Sequence, residues 1–390
     1  MTTNVDESSN ISIPLEEMND TNLQGCSNEQ QLIKFLGVQL IFSFFYLIIF
    51  VLGISGNLLV VIAILRKRAM RDIVTNLFIL NLAISDIVMC LFAVPFTPLQ
   101  TFTGVWYFGE ALCILFPFSQ GVSVYISTLT LTIIAVDRFV VIIYPFRARM
   151  RVKTCICLIL IIDILAGIFT APYAVHISIV TYGSLDRCQE NWDGMKRALY
   201  GAFTNITQFV LPFISIILCY TAIIRRLSHR TANRPGLRSA QKEEQERARN
   251  LRTNRMLISM VIVFGTCWLP LNTINFIGDL NYDLYCWGYH HFSFFICHVM
   301  AMSSTVYNPF LYGWYNESFQ KEFVKILPIL KGICPNENHD DPKRIMEIQK
   351  RVVTTVFIDQ KQIHVNGSQK NEIPKNEENA ELVHHETDGL

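Results

Sequence analysis

The chain has 390 residues, of which 51% are hydrophobic and only 17% are charged, and its net charge is +1. Soluble domains usually contain about 25% charged residues. The charge is also unevenly spread, because residues 1–34, 225–255 and 331–390 hold 39 of the 65 charged side chains and the other 265 residues hold 26. So little charge cannot cover a water-soluble surface, and the near-neutral balance excludes a strongly basic nucleic-acid binder.

Seven apolar stretches are each long enough to cross a bilayer as a helix, which takes about 20 residues. In chain order, spans 1 to 7 are predicted at residues 35–65, 73–98, 111–136, 154–180, 198–224, 256–278 and 284–316. An odd number of crossings places the termini on opposite sides of the membrane. The predicted fold class is therefore an all-α membrane protein built as a seven-transmembrane helix bundle.

The distribution of basic residues predicts the orientation of this bundle. Residues 225–255, between spans 5 and 6, contain ten Arg and Lys, whereas residues 1–33 contain six acids and no base. Cytoplasmic loops are the ones enriched in basic residues. We therefore expect a plasma-membrane protein with an extracellular tail at 1–34 and a cytoplasmic C-terminus. Sequons at Asn10 and Asn19 would then lie in the secretory lumen and are predicted to be glycosylated.

Two pairs of cysteines fall on the predicted outer side. Cys113 opens span 3 and Cys188 lies between spans 4 and 5, where an oxidising environment favours a disulfide that pins the loop over the bundle. Cys26 and Cys286 are the other pair, and for them the sequence leaves open a second bridge or two free thiols.

A short amphipathic helix is predicted at 317–330, after span 7, from the helical spacing of Phe319, Phe323 and the aliphatic residues that follow. Cys334, just beyond it, is either a palmitoylation site or a free cytosolic thiol. Residues 331–390 are polar and predicted to be disordered. The domain division is therefore tail 1–34, seven-transmembrane domain 35–316, juxtamembrane helix 317–330 and tail 331–390.

Several polar side chains interrupt the apolar spans, where such groups are costly and often functional. Asp86 is in the middle of span 2, and the other members are Asn57, Ser127, Ser304 and Asn308. Together they either hold a cation, for which sodium at Asp86 is the candidate metal, or water, or they form a structural polar network. No other cofactor is predicted.

Local motifs on these spans resemble rhodopsin-like G-protein-coupled receptors, and the resemblance covers about residues 35–330. The motifs are Gly56-Asn57, Leu82-Ala-Ile-Ser-Asp86, Asp137-Arg138-Phe139, Pro212, Cys267-Trp268-Leu269-Pro270 and Asn308-Pro309-Phe310-Leu311-Tyr312. The resemblance implies coupling to a heterotrimeric G protein, recruitment of arrestin, and a switch between closed and open bundles. The implied switch residues are Asp137, Arg138, Trp268, Pro270, Tyr220, Asn308, Pro309 and Tyr312.

Four positions depart from that family's pattern. Phe139 replaces a tyrosine, Thr128 replaces a bulky aliphatic residue, and Asp163 stands where the family has a tryptophan, with no explanation from the sequence. Asn250 stands where many relatives place an acid that holds Arg138. This last departure predicts a weaker hold on Arg138 and some basal activity.

The type of ligand can be narrowed by residue chemistry. Gln120 occupies the position where an amine receptor needs a carboxylate, and Met302 occupies the position where a retinal pigment needs a lysine. The chain has no H-E-x-x-H, G-x-S-x-G, P-loop or G-x-G-x-x-G motif, so an enzyme is not expected. A transporter or channel is a remote alternative, since no internal repeat is evident.

The stretches 106–120, 267–272 and 297–309 resemble the neuropeptide Y / neuropeptide F receptors most closely. In that family an extracellular peptide with an amidated arginine–aromatic C-terminus enters the bundle, and coupling is to an inhibitory G protein. The matching ligand-binding positions are Gln120, Gln208, Asn275, Asp279, His298, Thr97 and Gln100. Receptors for another neuropeptide, of tachykinin-like or RFamide-like type, are the alternative.

Three of these positions have competing interpretations. Gln208 either contacts the peptide or has a purely structural role. His298 either contacts the peptide or makes a satisfied hydrogen bond between helices. Asp279 is either the direct partner of a ligand guanidinium or an exposed acid that only steers cationic peptides.

Overall fold

The computed structural model describes residues 35–144, 146–192, 194–232, 240–280 and 289–328, except for the side chains of 194, 227–232 and 240–251. All of these residues belong to one compact unit, Met1–Cys334. Both predicted tails fall outside the described residues. So do Asn10, Asn19, Cys26, Cys286 and Cys334, as well as the side chain of Asn250.

In the described part of the chain, seven long helices follow one another in the order of the predicted spans, whose names we keep. Spans 1 to 4 are Leu36–Arg66, Val74–Thr103, Gly109–Ile143 and Val152–Val175; span 5 joins Gly194–Thr204, Asn205–Val210 and Leu211–Ala232; spans 6 and 7 are Ala240–Leu280 and His290–Tyr315. The short helix Arg68–Arg71 lies between spans 1 and 2.

Among the described residues, six of these helices are long and apolar enough to cross a membrane by length and composition. Span 7 has 26 residues but is less apolar, because histidine, serine and asparagine side chains interrupt it. Large hydrophobic side chains cover the outside of the bundle; Leu40 and Phe44 in span 1 and Ile164 and Ile168 in span 4 are exposed. An apolar exterior on this scale suits lipid rather than water.

Most of the buried apolar side chains form one continuous cluster that includes Val60, Phe78, Leu82 and Trp268, and a second, smaller cluster surrounds Trp106. Small residues allow the helices to approach closely, as is common within membranes. At Gly53 of span 1, a Cβ atom would come within 2.5 Å of the Cys90 sulfur and 3.1 Å of the Thr305 hydroxyl. Any larger residue there would push span 1 away from spans 2 and 7.

The predicted end of span 4 is wrong. The helix ends at Val175 rather than at residue 180, and the chain continues as strand β1, Ile177–Tyr182, paired antiparallel with β2, Leu185–Glu190. The β-branched run in β1 is as apolar as a membrane span but favours a strand. Gly183, with φ of 64°, makes the tight turn between the strands.

Span 5 contains a feature that its sequence does not predict. Asn205–Val210 is π-helical and ends two residues before Pro212, one of the motif residues. Short π segments inside α-helices often occur at functional sites, because the widened turn redirects side chains. Here the segment carries Gln208, one of the predicted ligand-binding residues.

A ten-residue helix, Glu317–Ile326, follows span 7. Phe319 and Phe323 are buried on one face, and the Phe319 ring stacks on Tyr312 of span 7 with centroids 5.4 Å apart. The buried Glu322 carboxylate lies 3.1 Å from Lys67 Nζ and 3.0 Å from Lys325 Nζ. The helix is thus attached to span 7 and to the linker that follows span 1.

Candidate functional site

The β1–β2 hairpin defines one end of the bundle, which we call the hairpin end. The predicted disulfide between Cys113 and Cys188 is present and joins β2 to the start of span 3. The backbone N–H of Trp106 donates to Asp186 O at 2.7 Å, and the Gln100 side chain donates to Cys188 O. Three contacts, from span 2, the loop after it and the start of span 3, therefore hold the hairpin to the bundle.

A charged cluster lies beside the hairpin. Arg197 Nε, at the start of span 5, is 3.2 Å from Asp279 Oδ1 of span 6 and 3.4 Å from Glu190 Oε2 of β2. Tyr173 of span 4 donates its hydroxyl hydrogen to Glu190 Oε1 at 2.8 Å. We call Glu190, Arg197 and Asp279 the charged triad. Asp279, a predicted ligand residue, is therefore already paired with a guanidinium from its own chain.

An aromatic stack stands next to the charged triad. The Trp192 ring stacks on His176 at 3.7 Å and on Tyr200 at 5.2 Å between centroids. The buried Trp192 indole N–H has no hydrogen-bond partner among the described residues. Motif matching did not find this stack, which supplies aromatic surface and one unused donor at the hairpin end.

Four of the predicted ligand residues, in addition to His298, retain unused hydrogen-bonding groups. Gln120 and Gln208 are half-buried and Asn275 is exposed, and no side-chain hydrogen bond of theirs occurs within the described part of the chain. The Thr97 hydroxyl is buried without a partner there. Since each amide offers both a donor and an acceptor, these side chains suit a neutral polar ligand group.

His298 is packed inside the helix bundle. Its Nδ1 and the Tyr46 hydroxyl share a hydrogen bond of 2.7 Å between spans 7 and 1, and only 1% of the residue is exposed. Phe294 stacks on the imidazole with centroids 5.6 Å apart. The Nδ1 contact is the interhelical hydrogen bond that the sequence left open as the alternative to ligand contact, whereas the buried Nε2 has no partner among the described residues. Gln100, bonded to Cys188, is likewise occupied within the chain.

The polar cluster inside the spans separates into neighbouring pairs. Asn308 Nδ2 donates to Asp86 Oδ2 at 2.9 Å, and Trp268 Nε1 donates to Ser304 Oγ at 3.0 Å. Asn57 binds the carbonyl of Thr305 in span 7 at 2.9 Å. All five of the predicted members, Asn57, Asp86, Ser127, Ser304 and Asn308, are buried. Spans 1, 2, 6 and 7 are thereby linked through polar contacts at the centre of the bundle.

At the other end of the bundle, which we call the Arg138 end, the guanidinium has two partners. Arg138 Nη2 is 2.9 Å from Asp137 Oδ2, and it also donates to the Thr75 hydroxyl of span 2. The buried hydroxyls of Tyr220 and Tyr312 have no partners among the described residues, nor does Arg138 Nε. The predicted switch residues at this end thus combine a held arginine with unused hydrogen-bonding groups.

Asp163 also has a partner. Its Oδ1 accepts a hydrogen bond of 2.9 Å from Asn81 Nδ2 in span 2. The half-buried carboxyl of span 4 is thereby connected to the neighbouring helix. This contact gives the unusual aspartate a structural role in packing spans 2 and 4.

Sequence reasoning missed several residues that complete these sites. Thr75 and Tyr46 carry no motif and are recognised only through their contacts with Arg138 and His298. Arg197 did offer a signal, because it is a basic residue close to acids on the predicted outer side. Its pairing required the three-dimensional arrangement of β2 with spans 5 and 6.

Comparisons with known proteins agree with this architecture. The sequence model of the family described as 7 transmembrane receptor (rhodopsin family) matches residues 56–312. The chain is 33% identical to neuropeptide Y receptor type 6 of Mus musculus, with 72% of this chain and 79% of that protein covered. It is 32% identical to neuropeptide Y receptor type 2 of Homo sapiens, covering 75% and 77%. It is 34% identical to neuropeptide F receptor of Drosophila melanogaster, covering 72% and 61%.

The chain therefore belongs to the rhodopsin family of seven-transmembrane receptors, and within it to the neuropeptide Y / neuropeptide F receptor type. It is a multi-pass membrane protein and a receptor, not an enzyme. Membership confirms the predicted family and the predicted absence of enzyme activity. It also implies, as a general kind, a peptide ligand and coupling to a G protein.

Proposed function

We propose that this receptor binds an extracellular neuropeptide with an amidated arginine–aromatic C-terminus at the hairpin end and activates an inhibitory heterotrimeric G protein at the Arg138 end. The observation that carries the proposal is the Asp279 carboxylate, which is half-buried and accepts a guanidinium in the structure. A carboxylate with this environment is suited to an arginine ligand, because a guanidinium can donate two parallel hydrogen bonds to it.

The neutral end of such a peptide needs a different environment. Gln120 and Gln208 provide half-buried amides whose donors and acceptors are unused among the described residues, and the π-helical turn of span 5 presents Gln208. A C-terminal amide can both donate to and accept from such side chains, whereas a C-terminal carboxylate would be desolvated without a cation. Asn275 and Thr97 supply further polar groups, and the aromatic stack next to the charged triad offers a surface for the ligand ring.

The proposal is tested by a peptide panel on cells that express the receptor. Peptides ending in amidated arginine–tyrosine and arginine–phenylalanine should activate it, and inhibition of cyclic AMP production should report the inhibitory coupling. The same peptides with a free C-terminal acid should be at least about 10-fold weaker, as expected for a loss near 1.4 kcal/mol. Activation by tachykinin-like amides that lack the arginine would favour the alternative neuropeptide class.

The role of Asp279 is tested on the same cells. Asp279→Ala should lower the affinity of an arginine-amide peptide by roughly 30-fold or more, the range for truncating one partner of a desolvated charge pair. Asp279→Asn is the matched control, since it keeps the shape and loses the charge. A small, salt-sensitive effect on the association rate alone would instead mean that Asp279 only steers the peptide.

We also propose a sodium ion as allosteric ligand at Asp86. Ser127, Asn308 and Ser304 supply the additional oxygen atoms, which hard cations prefer, and one Asp86 oxygen has no hydrogen bond from a described residue. A bound cation would neutralise a buried carboxylate in the middle of the membrane. Raising sodium at constant ionic strength should lower agonist affinity in the intact receptor and have no effect in Asp86→Asn.

A further inference from the structure

The charged triad connects three elements at the hairpin end. Arg197 lies between Glu190 of β2 and Asp279 of span 6, with Nε–O distances of 3.4 and 3.2 Å. The side chains are 27%, 27% and 14% exposed for Arg197, Glu190 and Asp279. Ion pairs shielded to this degree are stronger than pairs on an open surface, because water screens them less.

Both oxygens of the Asp279 carboxylate face span 5. Oδ1 pairs with Arg197, and Oδ2 lies directly over the Gly201 backbone, so that a Cβ at Gly201 would collide with it. A second guanidinium therefore cannot make a two-oxygen contact with Asp279 while the carboxylate keeps this position. A ligand arginine has to displace Arg197 or pull Asp279 away from span 5.

Glu190 makes it feasible for a ligand arginine to displace Arg197 from Asp279. When Arg197 leaves Asp279, it remains beside the Glu190 carboxylate, which Tyr173 holds in place through a 2.8 Å hydrogen bond. The exchange thus replaces one guanidinium on Asp279 by another and leaves Arg197 with a carboxylate partner. This matters because a half-buried charge without a partner is costly.

We infer that Arg197 is a built-in competitor for the arginine of the ligand, and that Glu190 accepts Arg197 when the ligand takes Asp279. The inference rests on the proposed peptide function. In the ligand-free receptor, Arg197 ties span 5 to span 6 and both to the hairpin. Arrival of the ligand guanidinium breaks this ion pair, so recognition of the peptide removes one of the contacts that hold span 6 to span 5.

The test measures binding of two peptides, one with the C-terminal arginine and one with citrulline, which keeps the shape and lacks the charge. Removing the competitor in Arg197→Gln should raise the affinity of the arginine peptide by roughly 5-fold or more, within the usual range of coupling between sites. The citrulline peptide should gain nothing. Equal losses for both peptides would overturn the inference and give Arg197 a purely structural role.

In a receptor that keeps Arg197, Glu190→Gln should change the affinity of the arginine peptide in the direction opposite to Arg197→Gln. Without the Glu190 carboxylate beside it, Arg197 should leave Asp279 less readily, and the arginine peptide should bind several-fold more weakly. This loss should vanish when Glu190→Gln is made in the Arg197→Gln receptor. A loss that persists in the double variant would mean that Glu190 contacts the ligand itself, and it would overturn the inference.

Two measurements keep the outcomes distinct. Surface labelling reports whether each variant reaches the membrane. If Arg197→Gln does not reach it, the comparison of Glu190→Gln with the unmodified receptor tests the inference. Failure of every arginine-amide peptide to bind the unmodified receptor would overturn both the proposed function and this inference. Binding to the unmodified receptor without the predicted opposite signs would overturn this inference alone.

Discussion

Arg138 is held by one neighbour in its own helix and one in another. Asp137 supplies the charge and Thr75 supplies a hydroxyl from span 2, while Arg138 Nε and the hydroxyls of Tyr220 and Tyr312 are buried without described partners. Each unsatisfied buried polar group costs about 1–3 kcal/mol. A second arrangement that satisfies these groups would therefore compete with this one, as a two-state switch requires.

Thr75 should thus restrain the receptor. Thr75→Val keeps the shape and removes the hydroxyl, and it should raise ligand-independent G-protein activation several-fold, because the contact contributes about 1 kcal/mol to the held state. Thr132→Val is the matched control, since among the described residues the Thr132 hydroxyl bonds only to the carbonyl of Thr128 in its own helix, at 2.8 Å. Equal basal signalling in the two variants would remove Thr75 from the switch.

The same site gives the complementary prediction for Arg138. Arg138→Ala should lose G-protein activation and keep peptide affinity within a few-fold, because the residue lies at the end of span 3 opposite to Cys113 and the hairpin. Radioligand binding and cyclic AMP assays on the same cells separate the two effects. A variant that signals normally would contradict the role of the arginine.

At the scale of elements, the hairpin depends on the bridge between Cys113 and Cys188. The bridge closes a loop with a sequence separation of 75 residues. Cross-links of long loops contribute about 2–4 kcal/mol to stability in chain-entropy models. Cys113→Ser or Cys188→Ser should therefore abolish peptide binding or surface expression, and the double variant should be little worse than either. Normal binding by one single variant would show that the other contacts of the hairpin suffice.

The juxtamembrane helix Glu317–Ile326 has a pH-sensitive attachment. The Lys325 ammonium, and after it Lys67, lower the pKa of the Glu322 carboxyl below its usual range, against the opposing effect of burial. Because the pKa is lower in the docked helix than the free value of about 4.3, the ion pairs stabilise docking at pH above that value. Their contribution is lost as the pH falls through the lower, docked value.

Amide hydrogen exchange in lipid nanodiscs measures this dependence. Corrected for intrinsic rates, exchange of residues 317–326 should accelerate below about pH 4 in the unmodified receptor. Glu322→Gln should exchange faster already at neutral pH and should lack the acid-dependent change. An identical pH profile in the two proteins would exclude Glu322 as the group responsible.

The sequence predicted those elements that depend on local patterns. Apolar runs located the seven helices, and motif spacing identified the family. The structure departs where tertiary contacts decide, since β1 is apolar enough to extend span 4 and forms a strand because β2 pairs with it. The π-helical turn at Asn205–Val210 has no comparable signal in single-residue preferences.

The residues of the candidate site likewise divide into those that the sequence predicted and those whose contacts depend on the tertiary structure. Cys113 and Cys188 were paired correctly from their shared compartment. For His298 the sequence left ligand contact and an interhelical hydrogen bond open, because its partner Tyr46 lies 252 positions away in the chain. The sequence also did not predict Arg197 as the partner of Asp279. Family motifs indicate where a ligand binds, and they do not indicate which side chain of the protein occupies that position when no ligand is bound.

For the whole molecule, the remaining prediction concerns orientation. Basic residues concentrate between spans 5 and 6, and acids precede span 1. An epitope tag at the N-terminus should therefore be labelled on intact cells, and a C-terminal tag only after permeabilisation. Labelling of only the C-terminal tag on intact cells would invert the topology.

The hydrogen bond between Asn81 and Asp163 has a consequence for how the receptor is made. A lone aspartate near the centre of a helix opposes insertion by the translocon by about 2.5–3.5 kcal/mol. Its partner in span 2 precedes it by 82 residues and is already in the membrane when span 4 emerges from the ribosome. Early retention of span 2 beside the insertion machinery would give Asp163 its amide before it meets lipid, so biogenesis of span 4 should depend on a helix synthesised two crossings earlier.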